Sequence, residues 1–226
     1  MDVSQFYSLL KSDFPHNTTA KQDIALHLLS KFVLNDKKNE VFLLKGYAGT
    51  GKTTITGTIV KNLNKAKMTS VLLAPTGRAA KVISNYAGKE AFTIHRKIYY
   101  PKPKKGGGVS FTLQNNKHRN TIFMVDEASM IGDDRQSAKL FENGSLLDDL
   151  MQYVDAGSNC KLLLVGDPAQ LPPVHLTISP ALDADYLERQ FNKLVTEWEL
   201  KEVVRQQQDS SILLNATQLR NQMSEE

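Results

Sequence analysis

The stretch EVFLLKGYAGTGKTT, residues 40–54, joins an apolar run to a glycine-rich turn that ends in Lys-Thr-Thr. Val41, Phe42, Leu43 and Leu44 make a run short enough for a strand buried on both faces. The spacing of Gly46, Gly51, Lys52 and Thr53 after it fits a P-loop, in which glycine permits positive φ and lets backbone N–H groups close around an anion. Gly49, Thr50 and Thr54 fall within the same nucleotide-binding turn. Lys52 is expected to reach the β and γ phosphates and Thr53 to set its hydroxyl on Mg2+. Residues 54–63 have the periodicity of a helix whose positive end faces the phosphates.

Working outward, 226 residues of ordinary apolar content can bury a full core and suit one large domain or a domain with a small appendage. The single cysteine, Cys160, excludes an internal disulfide; beside the apolar run 162–165 it reads as a buried structural thiol in a reducing compartment. No apolar stretch has the roughly twenty residues of a membrane span, and residues 1–7 lack a secretion signal, so the expected location is cytoplasmic. The net charge of +4 is only mildly basic. Its distribution is uneven, because residues 91–125 contain no Asp or Glu but hold Arg96, Lys97, Lys102, Lys104, Lys105, Lys117 and Arg119.

Helical patterns occupy residues 3–14 and 19–34, the second capped by Thr18 or Thr19 and carrying Gln22 in its first turn. After the P-loop helix, residues 70–74 read as a strand, Pro75, Thr76 and Gly77 as a loop, and residues 78–86 as a helix. This alternation predicts βαβ units, a parallel sheet covered by helices, and ligand loops at the carboxyl ends of the strands. Residues 101–120 read as an inserted loop or small hairpin with Val109, Phe111 and Leu113 on one arm. A solvated insertion and a contact with the phosphates and bases of a single strand are both open for it.

Residues 121–125 form another apolar run and end in Asp126 and Glu127. A strand delivering two carboxylates suits Mg2+ held through water by Asp126 and an attacking water oriented or deprotonated by Glu127. A helix is expected over residues 140–153 and a fourth strand over 161–165, followed by GDPAQLPPV. There the prolines stiffen a loop that presents Gln170 to the γ-phosphate or its water. A further helix reads over 186–194, strand-formers over 195–204 with Trp198 as a packing residue, and an amphipathic helix over 209–222.

In order, GYAGTGKTT, LLAPTGRAAK, TIHR, VDEASM, GDPAQLPPV and VVRQ resemble the motif series of superfamily 1 DNA helicases of the RecD-like type. The series runs through most of the chain. LLAPTGRAAK and GDPAQLPPV are its most specific pieces, since P-loops and acidic strand ends occur in many nucleotide hydrolases. The resemblance implies an α/β, RecA-like P-loop NTPase fold that hydrolyses ATP with Mg2+ and moves 5′ to 3′ along single-stranded DNA. It also implies roles. Lys52 and Thr53 match the first motif, Asp126 and Glu127 the second, and Gln170 the third, which couples nucleotide to DNA. Arg205 matches the arginine that touches the γ-phosphate. Pro75, Thr76, Gly77, Arg78, Thr93 and His95 match segments along the DNA backbone, and Gln22 matches, in looser surroundings, the glutamine that reads the adenine edge.

The implied organisation is a pair of amino-terminal helices over residues 1–36 and a first motor domain over 37–226, with a basic insertion at about 97–120. Motifs of the family's second RecA-like domain, which closes the ATP cleft and supplies another arginine, are absent from the sequence. The expectation is therefore a piece of a longer protein, weakly active alone. Its expected partners are single-stranded DNA, that second domain and subunits of recombination, DNA-repair or exonuclease V alpha-like nuclease machinery. A noncatalytic ATP-binding module of such a machine is the alternative, and Glu127, Gln170 and Arg205 argue against it because a structural module has no chemical need of them. Asn116 and Lys117 begin like a guanine-reading loop but lack the carboxylate that completes one.

Overall fold

The apolar runs become strands of one sheet, and their side chains divide between its two faces by the two-residue period of an extended chain. A computed structural model describes residues 1–103, 109–133, 145–173, 176 and 178–204. Numbered in chain order, strands β1 (Glu40–Gly46), β2 (Thr69–Ala74), β3 (Ala91–Thr93), β6 (Arg119–Val125), β7 (Ser158–Gly166) and β8 (Leu194–Leu200) form the sheet. Their spatial order is β3-β2-β6-β7-β1-β8, every neighbouring pair parallel. The parallel sheet is the one that the alternation of strand and helix predicts, and the fold is RecA-like, as the family resemblance implies.

Phe42 and Leu44 of β1, Ile122 and Met124 of β6, and Leu163 and Val165 of β7 face one core. That core is completed by Phe6 and Leu10 of α1 (Val3–Ser12), Leu26 and Leu29 of α2 (Ala20–Leu34), Ile55 and Ile59 of α3 (Lys52–Asn62) and Ile83 of α4 (Gly77–Ala87). The alternate residues Val41, Leu43, Phe123, Val125, Leu162 and Leu164 face the other core. There they meet Ile94 and Ile98 of α5 (Ile94–Ile98), Leu147 and Leu150 of α6 (Leu146–Asp155) and Leu187 of α7 (Ala184–Phe191). The two amino-terminal helices thus cover the sheet directly, and Tyr7 Oη donates to the carboxylate of Asp23 at 2.8 Å to tie them together. Trp198 packs against the first core, and its indole N–H donates to the carbonyl of Lys21 at 2.9 Å.

The insertion is an antiparallel hairpin of β4 (Tyr99–Pro103) and β5 (Val109–Leu113). Pro101 and Pro103 are tolerated because each arm of a two-stranded ribbon has a free edge. At its root Tyr99, 3% exposed, donates its hydroxyl to Asp149 of α6 at 2.6 Å. Gln114 closes the root by donating to the carbonyls of Ile98 and Tyr99, both at 2.7 Å. The short β3 and α5 before it are elements that sequence periodicity does not separate. The helix expected over 140–153 starts only at Leu146, where the extended Ser145 caps it, and runs to Asp155; the helix expected over 209–222 lies outside the described residues.

Candidate nucleotide-binding site

Parallel strands deliver their following loops to one rim of the sheet. The register aligns Lys45 of β1 with Gly166 of β7, Leu164 of β7 with Val125 of β6, and Val125 with Leu73 of β2. The P-loop, the loop from Asp167 to Gln170, the Asp126–Glu127 pair and the turn at Pro75 are therefore side by side. Lys52, Thr53, Thr54, Gly49, Gly51, Asp126, Glu127 and Gln170 line one cavity of about 490 Å3.

The P-loop is built to come close to an anion. Gly49 and Gly51 sit at φ 82° and 94°. A Cβ on Gly51 would fall 2.5 Å from Gln22 Nε2, and one on Gly46 would fall 2.8 Å from both the Leu200 carbonyl and Thr50 Oγ1. Thr50, 1% exposed, braces the turn by donating its hydroxyl to the Tyr47 carbonyl at 2.8 Å. Side chains of Asp2, Thr19, Thr76, Thr93, Ser145 and Asp183 cap the other α-helices among the described residues, whereas α3 starts at Gly51 with no side-chain cap. The N–H groups of its first turn are thus left to whatever enters the cavity, which is the donor set a phosphate requires. Lys52 Nζ donates to the carbonyls of Gly46 and Tyr47, at 2.5 and 2.9 Å, and so stays at the mouth of the loop.

Asp126 follows β6, its N–H donating to the Leu73 carbonyl at 3.0 Å and its Oδ1 accepting from the Glu127 N–H at 3.0 Å. Glu127 adopts the left-handed region, φ 56°, and opens a short 3-10 turn, Ala128–Met130. Burial raises the Asp126 pKa above the ordinary carboxylate range and Glu127 adds to the rise. The Glu127 N–H and the Lys52 charge oppose it. Such a carboxylate gains from a cation, and with the Thr53 hydroxyl in the same cavity the oxygen donors suit Mg2+.

Gln170 lies on a loop braced by Asp167, whose Oδ1 accepts from the Ala169 N–H at 2.9 Å and whose carbonyl accepts from the Gln170 N–H at 3.2 Å. Its Oε1 accepts from Ser129 Oγ at 2.8 Å. Gln22 is 2% exposed. Its Oε1 accepts from the Thr19 N–H at 3.1 Å and its Nε2 donates to the Thr50 carbonyl at 2.9 Å, so the amide is held at both ends and lines the same cavity.

Thr76 and Arg78 line an adjoining cavity of about 380 Å3 that shares Asp126, Glu127 and Gln170 with the first. Pro75 and Gly77 belong to the same turn, and Thr76 caps α4 through the Ala79 N–H at 3.2 Å. Thr93 caps α5, and His95 is half-buried against the rings of Tyr99 and Phe111; neither lines these cavities. Arg205 lies outside the described residues. The residue before it, Val204, lines the nucleotide cavity and donates its N–H to the Gly49 carbonyl at 3.0 Å. Asn116 is committed elsewhere, donating to the Tyr153 carbonyl at 2.8 Å ahead of β6, at the strand end opposite Asp126, and lines neither cavity. Sequence reasoning missed Phe14, His16, Tyr47, Tyr86 and Asp167 as cavity walls and Ser129 as a partner of Gln170. The available signals were the places of Tyr47, Ser129 and Asp167 inside GYAGTGKTT, VDEASM and GDPAQLPPV and the closeness of Phe14 and His16 to Gln22 along the chain.

Comparison with known proteins gives this geometry its family. Residues 30–226 match the family described as AAA domain. The ATP-dependent DNA helicase dda of Enterobacteria phage T4 is 31% identical over 207 residues, taking in 90% of this chain and 42% of that protein. The ATP-dependent RecD2 DNA helicase of Deinococcus radiodurans is 31% identical over 142 residues, 60% of this chain and 16% of that one. The chain thus spans less than half the length of these curated relatives. The crystal structure of Pif1 helicase from Candida albicans has the same fold, with a TM-score of 0.55 at 22% identity over 91% of this chain and 44% of that chain. The chain belongs to the AAA domain family, and it is similar in sequence to RecD-like helicases and in fold to Pif1 helicase.

Proposed function

We propose that this chain is the first motor domain of an ATP-dependent DNA helicase, which binds and hydrolyses ATP with Mg2+ and moves 5′ to 3′ on single-stranded DNA. The observation that carries the reading is convergence: Lys52, Thr53, Asp126, Glu127 and Gln170, supplied by three loops far apart in sequence, line one cavity. Lys52 and the uncapped N–H groups of α3 hold the β and γ phosphates. Thr53 and Asp126 supply oxygens to Mg2+, which, when bound, neutralises charge on the phosphates and leaving group. Glu127 takes up or orients the proton of the attacking water, Gln170 faces the γ-phosphate, and Arg205 opposes the charge that develops on it.

Gln22 reads the base. Its anchored amide keeps one lone pair on Oε1 and one N–H on Nε2. That pairing complements the donor and acceptor on the adenine edge, whereas guanine presents two acceptors there. The DNA backbone contacts Pro75, Thr76, Gly77 and Arg78 at the start of α4 and Thr93 and His95 at the start of α5. A second RecA-like domain and subunits of recombination or nuclease machinery are the partners that fit such a motor.

Titration with a fluorescent ATP analogue tests the site. Hydrogen bonds to charged groups contribute roughly 1.5–3 kcal/mol, so Lys52→Ala should weaken binding by about 100-fold. Equal affinity for the two proteins would overturn the assignment. Turnover stimulated by single-stranded DNA distinguishes a motor from a noncatalytic module, and unwinding of duplexes with a 5′ or a 3′ tail reads the polarity.

A further inference from the structure

Ser129 is 2% exposed, and its place in the Ala128–Met130 turn is held from outside the nucleotide cavity. The one proton of Ser179 Oγ is shared between the carbonyl that opens that turn, Ala128 at 3.0 Å, and the one that follows it, Ile131 at 2.7 Å. The end of β7 packs onto the same turn so closely that a Cβ on Gly166 would fall 3.2 Å from the Ser129 nitrogen. The Ser129 hydroxyl therefore has a fixed origin, and it donates at 2.8 Å to Oε1 of Gln170, a residue otherwise exposed on its loop.

An amide has one donor end and one acceptor end, and the two point in opposite senses. With Oε1 engaged by Ser129, the amide N–H groups remain for the cavity, where the incoming γ-phosphate offers only acceptors. The reversed amide would turn its oxygen on the phosphate, lone pairs against lone pairs. We propose that Ser129 is the positioning residue of the γ-phosphate sensor. It orients the Gln170 amide as a donor and ties the carboxylate turn after β6 to the loop after β7, so that both respond together to the terminal phosphate. The inference rests on the nucleotide site proposed above.

The experiment compares affinities for ATPγS and for ADP, which lacks the γ-phosphate, in the wild type, Ser129→Ala, Gln170→Ala and the double variant. The loss of one charged hydrogen bond should lower the ATPγS-over-ADP preference about tenfold in Gln170→Ala and by about fivefold in Ser129→Ala. The double variant should be no worse than Gln170→Ala, because the two residues act through one contact. Should Ser129→Ala fold poorly, Ser129→Thr against Ser129→Val makes the same comparison between near-isosteres with and without the hydroxyl. Only Thr should keep the preference. An unchanged preference in Ser129→Ala, or losses that multiply in the double variant, would overturn the inference while leaving the nucleotide site standing. A wild type that binds neither nucleotide would overturn the site itself.

Discussion

Asp126 bears an electrostatic cost that Mg2+ at the proposed site would relieve. Its folded pKa is raised, chiefly by burial, so its protonated form is favoured in the fold. The associated stability is complete below the ordinary carboxylate pKa and is lost as pH rises through the raised value. Asp126→Asn should therefore raise the Tm at neutral pH. The gain should vanish toward pH 3, and the further rise that Mg2+ adds to Tm beside nucleotide should disappear; thermal melts across pH check both. Residues of this kind were legible in the sequence, because Lys52, Thr53, Asp126 and Glu127 are the types their chemistry requires at element ends. His16 and Ser129 were not, since a histidine near a helix cap or a serine in a turn has many ordinary uses and only its neighbours in space assign one.

The hairpin of β4 and β5 depends on an aromatic root. His95, Tyr99 and Phe111 meet ring to ring with centroids 5.7–6.4 Å apart. Burial holds the His95 pKa below its ordinary value of 6.5. His118 is lowered too, by burial first and by Lys97 second. A base with a depressed folded pKa contributes stability that is intact above its ordinary pKa and is lost as pH falls through the folded one. The protein should lose stability as pH drops below about 6.5, and His95→Phe, which keeps a ring in the root, should flatten that slope in denaturant titrations. A slope equal to that of the wild type would remove His95 from the effect. Long elements with caps, such as α2 behind Thr19, could be read in the chain; β3, three residues long, could not, because its pairing with β2 is its only signature.

Across the molecule, one lysine fastens the amino-terminal helices to the sheet. Lys161, 2% exposed in central strand β7, donates to the carbonyls of Phe32 and Asn35 at the end of α2, at 2.5 and 2.6 Å, and lies 3.8 Å from Glu40. Burial lowers its pKa, while Glu40 and Asp36 pull it back up. Lys161→Met would leave buried carbonyls and a buried carboxylate short of a partner, at a cost of about 3 kcal/mol or roughly 6–12 °C in Tm. Because α2, β1 and β7 share this contact and one core, the variant should still melt in a single transition by calorimetry; two transitions would make residues 1–36 an independent unit.

By itself the sequence determined the local chemistry. Short continuous apolar runs make buried strands, glycines at the P-loop admit positive φ, and caps start helices, all through contacts within a few residues. Tertiary structure alone decided which loops meet: strand order and register bring the ends of β1, β2, β6 and β7 to one rim, and only there do Gln22 face Thr50 and Ser129 face Gln170. Those pairings join residues 28 and 41 positions apart, and no local energy term specifies a contact that exists only once the sheet has formed.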